Sequence, residues 1–156
     1  MYLEISNPMD YHVALYIRLS KEDETEGPSQ SVTNQKSLLN EFVQQHRLSV
    51  YDTYVDDGWS GTSFDRPDFQ RMIEDIEAKK VNMVITKDLS RLGRNSALTG
   101  LYTNFTFPQY GVRYIAINDN FDTIDPNSTD SDFAGIKNWF NEFYARDTSR
   151  KIRAVN

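Results

Sequence analysis

Two short segments of this sequence place reactive and cationic side chains directly after apolar runs. The run 12–17 has the pattern of a buried strand and leads into Arg18 and Ser20. A second run, 83–86, leads into the cation-rich segment 87–94. The carboxyl ends of adjacent parallel strands meet at one edge of a sheet, so these side chains are predicted to lie together. Because a serine oxygen can attack phosphorus and cations stabilise the charge that develops, the pattern predicts phosphoryl transfer.

Taken alone, Ser20 has an ordinary explanation, because a serine after a strand often forms a turn or caps a helix. Arg18 lies two residues earlier, and side chains two apart in an extended strand point to the same side. An arginine there can clamp a phosphate oxygen or favour the alkoxide of the serine. The sequence shows no histidine–aspartate pair for a hydrolase triad and no G-x-S-x-G motif at Ser20, so activation by cations is the remaining route.

The segment after the second strand contributes Arg91 and Arg94, which would share a face on the first turn of a helix. Backbone N–H groups at a helix start also favour an anion. The ordinary alternative is a solvated pair of arginines held by Asp88. Their location beyond the carboxyl end of a strand favours a site.

A third element, 58–67, has glycines that indicate a flexible loop after the second predicted strand. Its candidate site residues are Ser60 and Arg66, although Ser60 also suits a turn and Arg66 a surface charge. The loop lacks the lysine of a P-loop, so nucleotide binding is not predicted. The acidic segment 119–132 lacks the central glycine of an EF-hand, so calcium is not predicted.

Composition excludes several other classes of site. The 156-residue chain has no cysteine and only two histidines, His12 and His46, so disulfides, thiolate catalysis and a Cys or His metal cluster are excluded. We therefore predict no metal site of the Cys or His type. The N-terminus has no signal-peptide pattern and no apolar run approaches about 20 residues, which favours a cytoplasmic protein without a membrane contact.

Apolar runs and amphipathic segments alternate along the chain, which predicts an α/β domain with a mainly parallel sheet. We assign the core to residues 1–130 and the start of a long helix to 131–156. The aromatic residues of that helix suit either packing on the core or binding to a partner subunit. The other predicted elements are strands near 12–18, 50–55, 82–87 and 112–117, helices at 31–47, 67–79 and 95–107, and a polar loop at 119–130.

Four features in combination resemble the catalytic domain of serine site-specific recombinases, the resolvase/invertase family. The resemblance implies the resolvase-like α/β fold with a long C-terminal helix, and a function in DNA recombination, integration or transposition. The segments 87–91 and 144–149 are similar to the large serine recombinases of integrative and transposable elements. The features, in the family's order and spacing, are the Tyr-x-Arg-x-Ser strand end at 16–20, Gln35, the stretch 57–67 and the segment 90–94.

The resemblance also implies roles for the site residues. Ser20 is expected to attack a DNA phosphodiester and form a covalent 5′-phosphoserine link without a metal or cofactor. One departure is Ser90, where many small resolvases have an aspartate; Asp88 is the candidate general acid or base in its place. The other residues implied are Arg18, Arg91 and Arg94 around the phosphate, Arg66 assisting them, and Gln35 and Ser60 ordering the site.

The partners implied are double-stranded DNA recombination sites and further copies of the chain, as dimers and tetramers, with no membrane or small-molecule substrate. A net charge of −6 is unusual for a DNA-binding domain, although cations gather at 87–94 and 146–153. The main DNA-binding domains of large serine recombinases follow the catalytic domain, and we expect them to be missing from this chain. These residues alone are then expected to bind DNA weakly and in a salt-dependent way.

Two rival functions use the same features differently. A catalytically idle relative would keep the fold for dimerisation or regulation, but the complete arginine set argues against it. A phosphatase or transferase of small phosphoesters would need a cysteine nucleophile or an acidic metal-binding pair, and neither is evident.

Overall fold

A five-stranded sheet forms the centre of the protein in a computed structural model, which describes residues 5–24, 27 and 30–124. The strand order is β2-β1-β3-β4-β5. The first four strands in this order are parallel, and the short β5 is antiparallel to β4. The strands are β1 (His12–Leu19), β2 (Ser49–Asp57), β3 (Met83–Thr86), β4 (Arg113–Ala116) and β5 (Phe121–Asp122).

Helices connect the parallel strands and cover both faces of the sheet. A 3₁₀ turn, Pro8–Asp10, precedes β1. Between α5 and α6 the chain forms a π-helical turn, Tyr102–Thr106. The α-helices are α1 (Lys21–Glu24), α2 (Val32–Gln45), α3 (Pro67–Glu77), α4 (Leu89–Leu92), α5 (Ser96–Leu101) and α6 (Phe107–Gln109).

Two apolar cores lie on opposite faces of the sheet because side chains alternate along each strand. In β1, Ala14 and Tyr16 pack in the core that includes α3, whereas Val13, Leu15 and Ile17 pack in the core that includes α2. All five are almost completely buried. Strands covered on both faces read as continuous apolar runs, which explains the pattern of 12–17.

The predicted α/β architecture is confirmed, with the four main strands and three main helices close to their predicted positions. The polar loop predicted at 119–130 is wrong at its start, because Phe121 and Asp122 form β5. Phe121 packs against Tyr114, and the Asp122 carboxylate pairs with Arg113, so both side chains are buried. The long helix predicted at 131–156 lies outside the described residues. No helix in the described ranges is long and apolar enough to cross a membrane.

Helix α3 starts with a cap that comes from a distant strand. Pro67 occupies its first turn, and the preceding Arg66 gives no side-chain cap. Instead the buried Asp56 carboxylate of β2 accepts the backbone N–H groups of Asp68 and Phe69, both at 2.9 Å. It also accepts the Tyr16 hydroxyl at 2.8 Å, which joins α3 to β1.

Replacing Asp56 by alanine is therefore expected to lower the free energy of unfolding by about 2–4 kcal/mol, since two helix N–H groups and a buried hydroxyl lose their acceptor. The neighbouring Asp57 is exposed. Asp57→Ala should change stability by no more than about 0.5 kcal/mol. Urea unfolding of both variants measures the difference, and equal losses would contradict the cap.

Candidate active site

Ser20 lies immediately after β1 and caps the one-turn helix α1. The N–H of Ser20 donates to Asp23 Oδ2 at 2.8 Å, and the N–H of Asp23 donates to Ser20 Oγ at 3.3 Å, which is the reciprocal pattern of a capping box. The hydroxyl itself donates to Asp23 Oδ2 at 2.7 Å. Because β1 ends at Leu19, Ser20 is the first residue after the strand, and its hydroxyl makes the helix-capping contact that is the ordinary explanation for a serine at this place. Ser20 is only 6% exposed.

The Asp23 carboxylate is the point on which the candidate cations converge. Arg91 binds it through both terminal nitrogens, Nη1 to Oδ2 and Nη2 to Oδ1, each at 2.9 Å. Arg94 Nη2 donates to Oδ1 at 2.9 Å, and Arg18 Nη1 lies 3.9 Å from Oδ2. Burial acts to raise the pKa of Asp23, but the hydrogen bonds from Arg91 and Ser20 outweigh it and hold that pKa well below its usual range.

Arg91 and Arg94 reach Asp23 from different elements. Their predicted position on one helical turn is wrong, because α4 ends at Leu92 and Gly93 is extended. Arg94 lies between α4 and α5, where its N–H donates to the carbonyl of Gly61 at 2.8 Å. The two guanidinium groups therefore meet through the tertiary fold rather than through helical spacing.

Arg18 is fully buried and holds main-chain carbonyls around the site. It donates to the carbonyl oxygens of Ser90 at 2.6 Å, Trp59 at 3.1 Å and Arg91 at 3.3 Å. Arg91 Nη1 donates in return to the carbonyl of Arg18 at 2.8 Å. Burial and the neighbouring Arg91 and Arg66 guanidiniums lower the pKa of Arg18 to about 10.

Arg66 is also fully buried, and its contacts hold the end of α4. It donates to the carbonyl of Leu92 at 2.5 Å and to the Tyr16 hydroxyl at 2.9 Å. Its guanidinium carbon lies 4.7 Å from the Phe64 ring centre and 4.8 Å from that of Phe69. Among the described residues Arg66 thus supports the site from behind rather than contacting Asp23.

The remaining predicted site residues, Gln35, Asp88 and Ser60, differ in how they contact this cluster. Gln35 Nε2 donates to the carbonyl of Arg18 at 3.0 Å, so it fixes the end of β1. The Asp88 carboxylate caps α4, accepts the Ser90 hydroxyl and lies 3.6 Å from Arg91 Nε. The Ser60 hydroxyl contacts the Thr62 hydroxyl and accepts the Thr62 N–H, both within its own loop.

Gly61 lets the loop approach the cations closely. A Cβ at this position would lie 2.7 Å from Arg94 Cγ and 2.8 Å from Arg18 Nη2, closer than real Cβ atoms come. A glycine is required here by packing against the two arginines, which links the loop 58–67 to the cluster.

A cavity of about 400 Å³ opens beside the cluster. Its wall includes Ser90, Arg91, Gly93, Arg94 and Thr99. Ser20 and Asp23 are not among the lining residues. No group of three or more His, Cys, Asp or Glu residues that could hold a metal ion occurs in the described part of the chain.

An α/β domain with a serine and several arginines gathered at parallel strand ends has the elements of a phosphate-handling site. The family model of the resolvase N-terminal domain matches residues 13–155 of this chain. The search of curated proteins found no match. This chain belongs to the resolvase family and is a serine recombinase catalytic domain.

Solved structures agree with the family assignment. The N-terminal catalytic domain of TP901-1 integrase is 32% identical, with a TM-score of 0.70 over 86% of this chain and 97% of that one. A resolvase family site-specific recombinase from Streptococcus pneumoniae is 31% identical, with a TM-score of 0.63 over 92% and 94%. The C-terminal catalytic domain of ISC1926 TnpA, an IS607-like serine recombinase, shares the fold at 21% identity and a TM-score of 0.58 over 68% and 69%.

Asp23 is a site residue that the sequence analysis missed, because it is one of four acidic residues in the segment 22–26 and none of them stands out by its pattern. The signal that could have identified it is the spacing Ser20-x-x-Asp23 after a strand, which is typical of a capping box. Nothing in that spacing points to Arg91 or Arg94, which are about 70 residues away and contact Asp23 only in the folded chain.

The ionised Asp23 carboxylate stabilises the fold most at neutral pH. Its folded pKa lies below the unfolded value of 3.8, so this contribution is present above about pH 5 and declines as the pH falls below about 4. The difference in unfolding free energy between wild type and Asp23→Asn should therefore shrink on acidification. Urea unfolding at about pH 6 and about pH 3 tests this. A difference independent of pH would contradict an ionised Asp23.

Proposed function

We propose that this chain cleaves and rejoins DNA strands in site-specific recombination through a covalent 5′-phosphoserine intermediate, with Ser20 as the nucleophile. The observation that carries the proposal is the joint presence of the Ser20 hydroxyl, Arg91 and Arg94 on a single anion, Asp23. Membership of the serine recombinase family supports the same reaction.

The reaction balances without hydrolysis. The Ser20 Oγ–H loses its proton as Oγ bonds to phosphorus, and the bond from phosphorus to the 3′-oxygen breaks. The 3′-oxygen takes up a proton and leaves as a free hydroxyl. Because the phosphoserine ester keeps the bond energy of the phosphodiester, a 3′-hydroxyl can attack it and restore a DNA strand.

The two arginines that hydrogen-bond to Asp23 together with Ser20 suit the charge that develops. A pentavalent phosphorane carries more negative charge than the diester, and preorganised guanidiniums stabilise that extra charge. Arg91 and Arg94 are assigned to the phosphate oxygens. Arg18, Gln35 and Arg66 are assigned to holding the backbone that carries them, since their donors already bind main-chain carbonyls.

Two further residues are proposed for the site. Asp88, the candidate general acid or base, lies 3.6 Å from Arg91 Nε and accepts the Ser90 hydroxyl. Ser60 is proposed to order the site through its loop, because the carbonyl of the preceding Trp59 accepts a hydrogen bond from Arg18.

The subtype proposed is a large serine recombinase acting on double-stranded recombination sites as dimers that join into a tetramer. The 32% identity to the N-terminal catalytic domain of TP901-1 integrase supports an integrase-like recombinase. The segment 131–156, which lies outside the described residues, is proposed to begin the helix through which subunits associate.

A second candidate function is a catalytically idle relative that uses the fold for dimerisation or regulation. The observation that favours it is the 6% exposure of Ser20, whose hydroxyl is engaged with Asp23. Formation of a covalent adduct with DNA distinguishes the two functions.

Ser20→Ala is expected to abolish the covalent protein–DNA adduct, since the reaction has no nucleophile without the hydroxyl. The full-length protein is incubated with nicked duplexes taken from the DNA flanking its gene, and adducts are resolved on a denaturing gel. Ser63→Ala is the matched control and should form the adduct, because it removes a serine hydroxyl of the loop 58–67 that accepts the exposed N–H of Asp65. An adduct with Ser20→Ala, or none with wild type, contradicts the proposal.

Arg94→Ala is expected to lower the cleavage rate by about 10²–10³-fold, the usual effect of removing one donor to a developing anion. Its side chain is 30% exposed, so the variant is better tolerated than one at the buried Arg91. Arg71→Ala removes an arginine paired with Asp52 on the surface of α3 and should leave the rate close to that of wild type. Single-turnover cleavage of the same duplexes compares them, and equal rates for both variants would refute a direct role for Arg94.

A further inference from the structure

Asp23 is held by the donors that a phosphate would need at this site. Arg91 donates to both carboxylate oxygens at 2.9 Å, and Arg94 donates to Oδ1 at 2.9 Å. Oδ2 also accepts the Ser20 hydroxyl at 2.7 Å and the Ser20 N–H at 2.8 Å. Guanidinium groups recognise carboxylate and phosphate oxygens with the same forked geometry. The donors of Arg91, Arg94 and Ser20 therefore form an anion-binding site, which we call the seat. The Asp23 carboxylate occupies it.

A role for Asp23 as the base that activates Ser20 does not fit these contacts. A general base works best when its pKa lies near the working pH. Hydrogen bonds from Arg91 and Ser20 outweigh the effect of burial and hold the pKa of Asp23 far below that range. Asp23 thus binds the cations strongly and accepts a proton poorly.

We propose that the Asp23 carboxylate occupies the seat of the scissile phosphodiester in the free subunit, and that DNA must displace it before Ser20 can react. The identity of the displacing anion rests on the proposed function. Ser20 and Asp23 are 6% and 0% exposed, so the hydroxyl is closed to an incoming phosphate in this arrangement. Asp23 belongs to the four-residue helix α1, and a single turn costs little to unwind.

The cations of the seat already border a space that an anion can enter. Arg91 and Arg94 lie on the wall of the cavity of about 400 Å³, which Ser20 and Asp23 do not line in the described part of the chain. Thr99 on the same wall is buried, and its Oγ1 has no hydrogen-bond partner among the described residues. A phosphate that enters through this cavity meets the guanidiniums first and competes with Asp23 for them.

Neutralising Asp23 is expected to open the seat to a free oxyanion. In Asp23→Asn, replacing chloride by sulfate at equal ionic strength should raise the midpoint of thermal unfolding by about 3 °C or more above the gain of wild type. Wild type gains less because its own carboxylate competes for the donors. If Asp23→Asn is unfolded in chloride, sulfate should restore its folding. A variant that stays unfolded in sulfate, or that gains no more than wild type, overturns the proposal.

A second buried ion pair provides the control for charge and stability. Arg113 binds Asp122 at 2.6 and 3.0 Å, and both residues are buried. Asp122→Asn changes the net charge equally and should lose stability, with no sulfate gain beyond that of wild type. The double variant Asp23→Asn/Arg94→Ala should lose most of the gain. An equal gain in Asp122→Asn, or an undiminished gain in the double variant, places sulfate elsewhere and contradicts the seat.

Duplex DNA distinguishes a phosphodiester seat from a seat for free phosphate. The affinity of Asp23→Asn for a short duplex should exceed that of Asp122→Asn, which has the same net charge. If sulfate stabilises Asp23→Asn but the two affinities are equal, the seat stands and its assignment to DNA is overturned. Failure of wild type to form the Ser20 adduct refutes the proposed function and leaves the sulfate result unaffected.

Discussion

The site depends on one buried carboxylate that compensates several guanidinium groups. Arg91 and Arg94 bind Asp23 directly, and Arg18 lies 3.9 Å away, so one carboxylate is common to the three cations. Removing one partner of a buried ion pair typically costs about 3–5 kcal/mol, because the other charge is left uncompensated. The N–H groups of Arg18 also donate to neutral main-chain carbonyls, which hold its guanidinium in place. Guanidinium groups fixed before the reaction suit a phosphate whose charge grows during it.

A buried polar chain connects this cluster to the rest of the fold. Asp56 caps α3 and accepts the Tyr16 hydroxyl, Tyr16 accepts Arg66, and Arg66 donates to the carbonyl of Leu92 at the end of α4. The carbonyl of Arg91 accepts both Arg66 and Arg18. These hydrogen bonds hold the main chain at Arg91 and Leu92 in place. The Arg91 side chain is thereby held towards Asp23. Such networks stabilise a single arrangement when every member is satisfied.

The sequence predicted the parts of the site that depend on local patterns. Apolar runs identified β1 and β3, and their parallel pairing brings 18–20 and 87–94 together as expected. Local patterns could not predict which groups Arg18 and Arg66 contact. Both donate to main-chain carbonyls, which every residue has whatever its type. The break at Gly93, which separates Arg91 from Arg94, lies where a Cβ would come within 2.5 Å of Phe64 Cζ and 2.6 Å of Thr99 Oγ1, contacts that no local pattern indicates. The contacts of Asp23 with Arg91 and Arg94 could not be predicted, because these residues are about 70 positions away in the sequence.

An internal anion changes the balance between closed and open states of the site. Without Asp23, Arg91 and Arg94 would lose the carboxylate that both of them bind, and a phosphate could take its place. With Asp23 in the seat the site is closed, and with Asp23 displaced it is open. An incoming anion shifts the equilibrium towards the open state only as far as it binds that state more tightly than the closed one. One isolated phosphate competes poorly against a carboxylate already in place on the same chain. A duplex, which contacts the protein at several phosphates together, can supply the difference. The same carboxylate therefore stabilises the resting fold and sets a threshold for reaction.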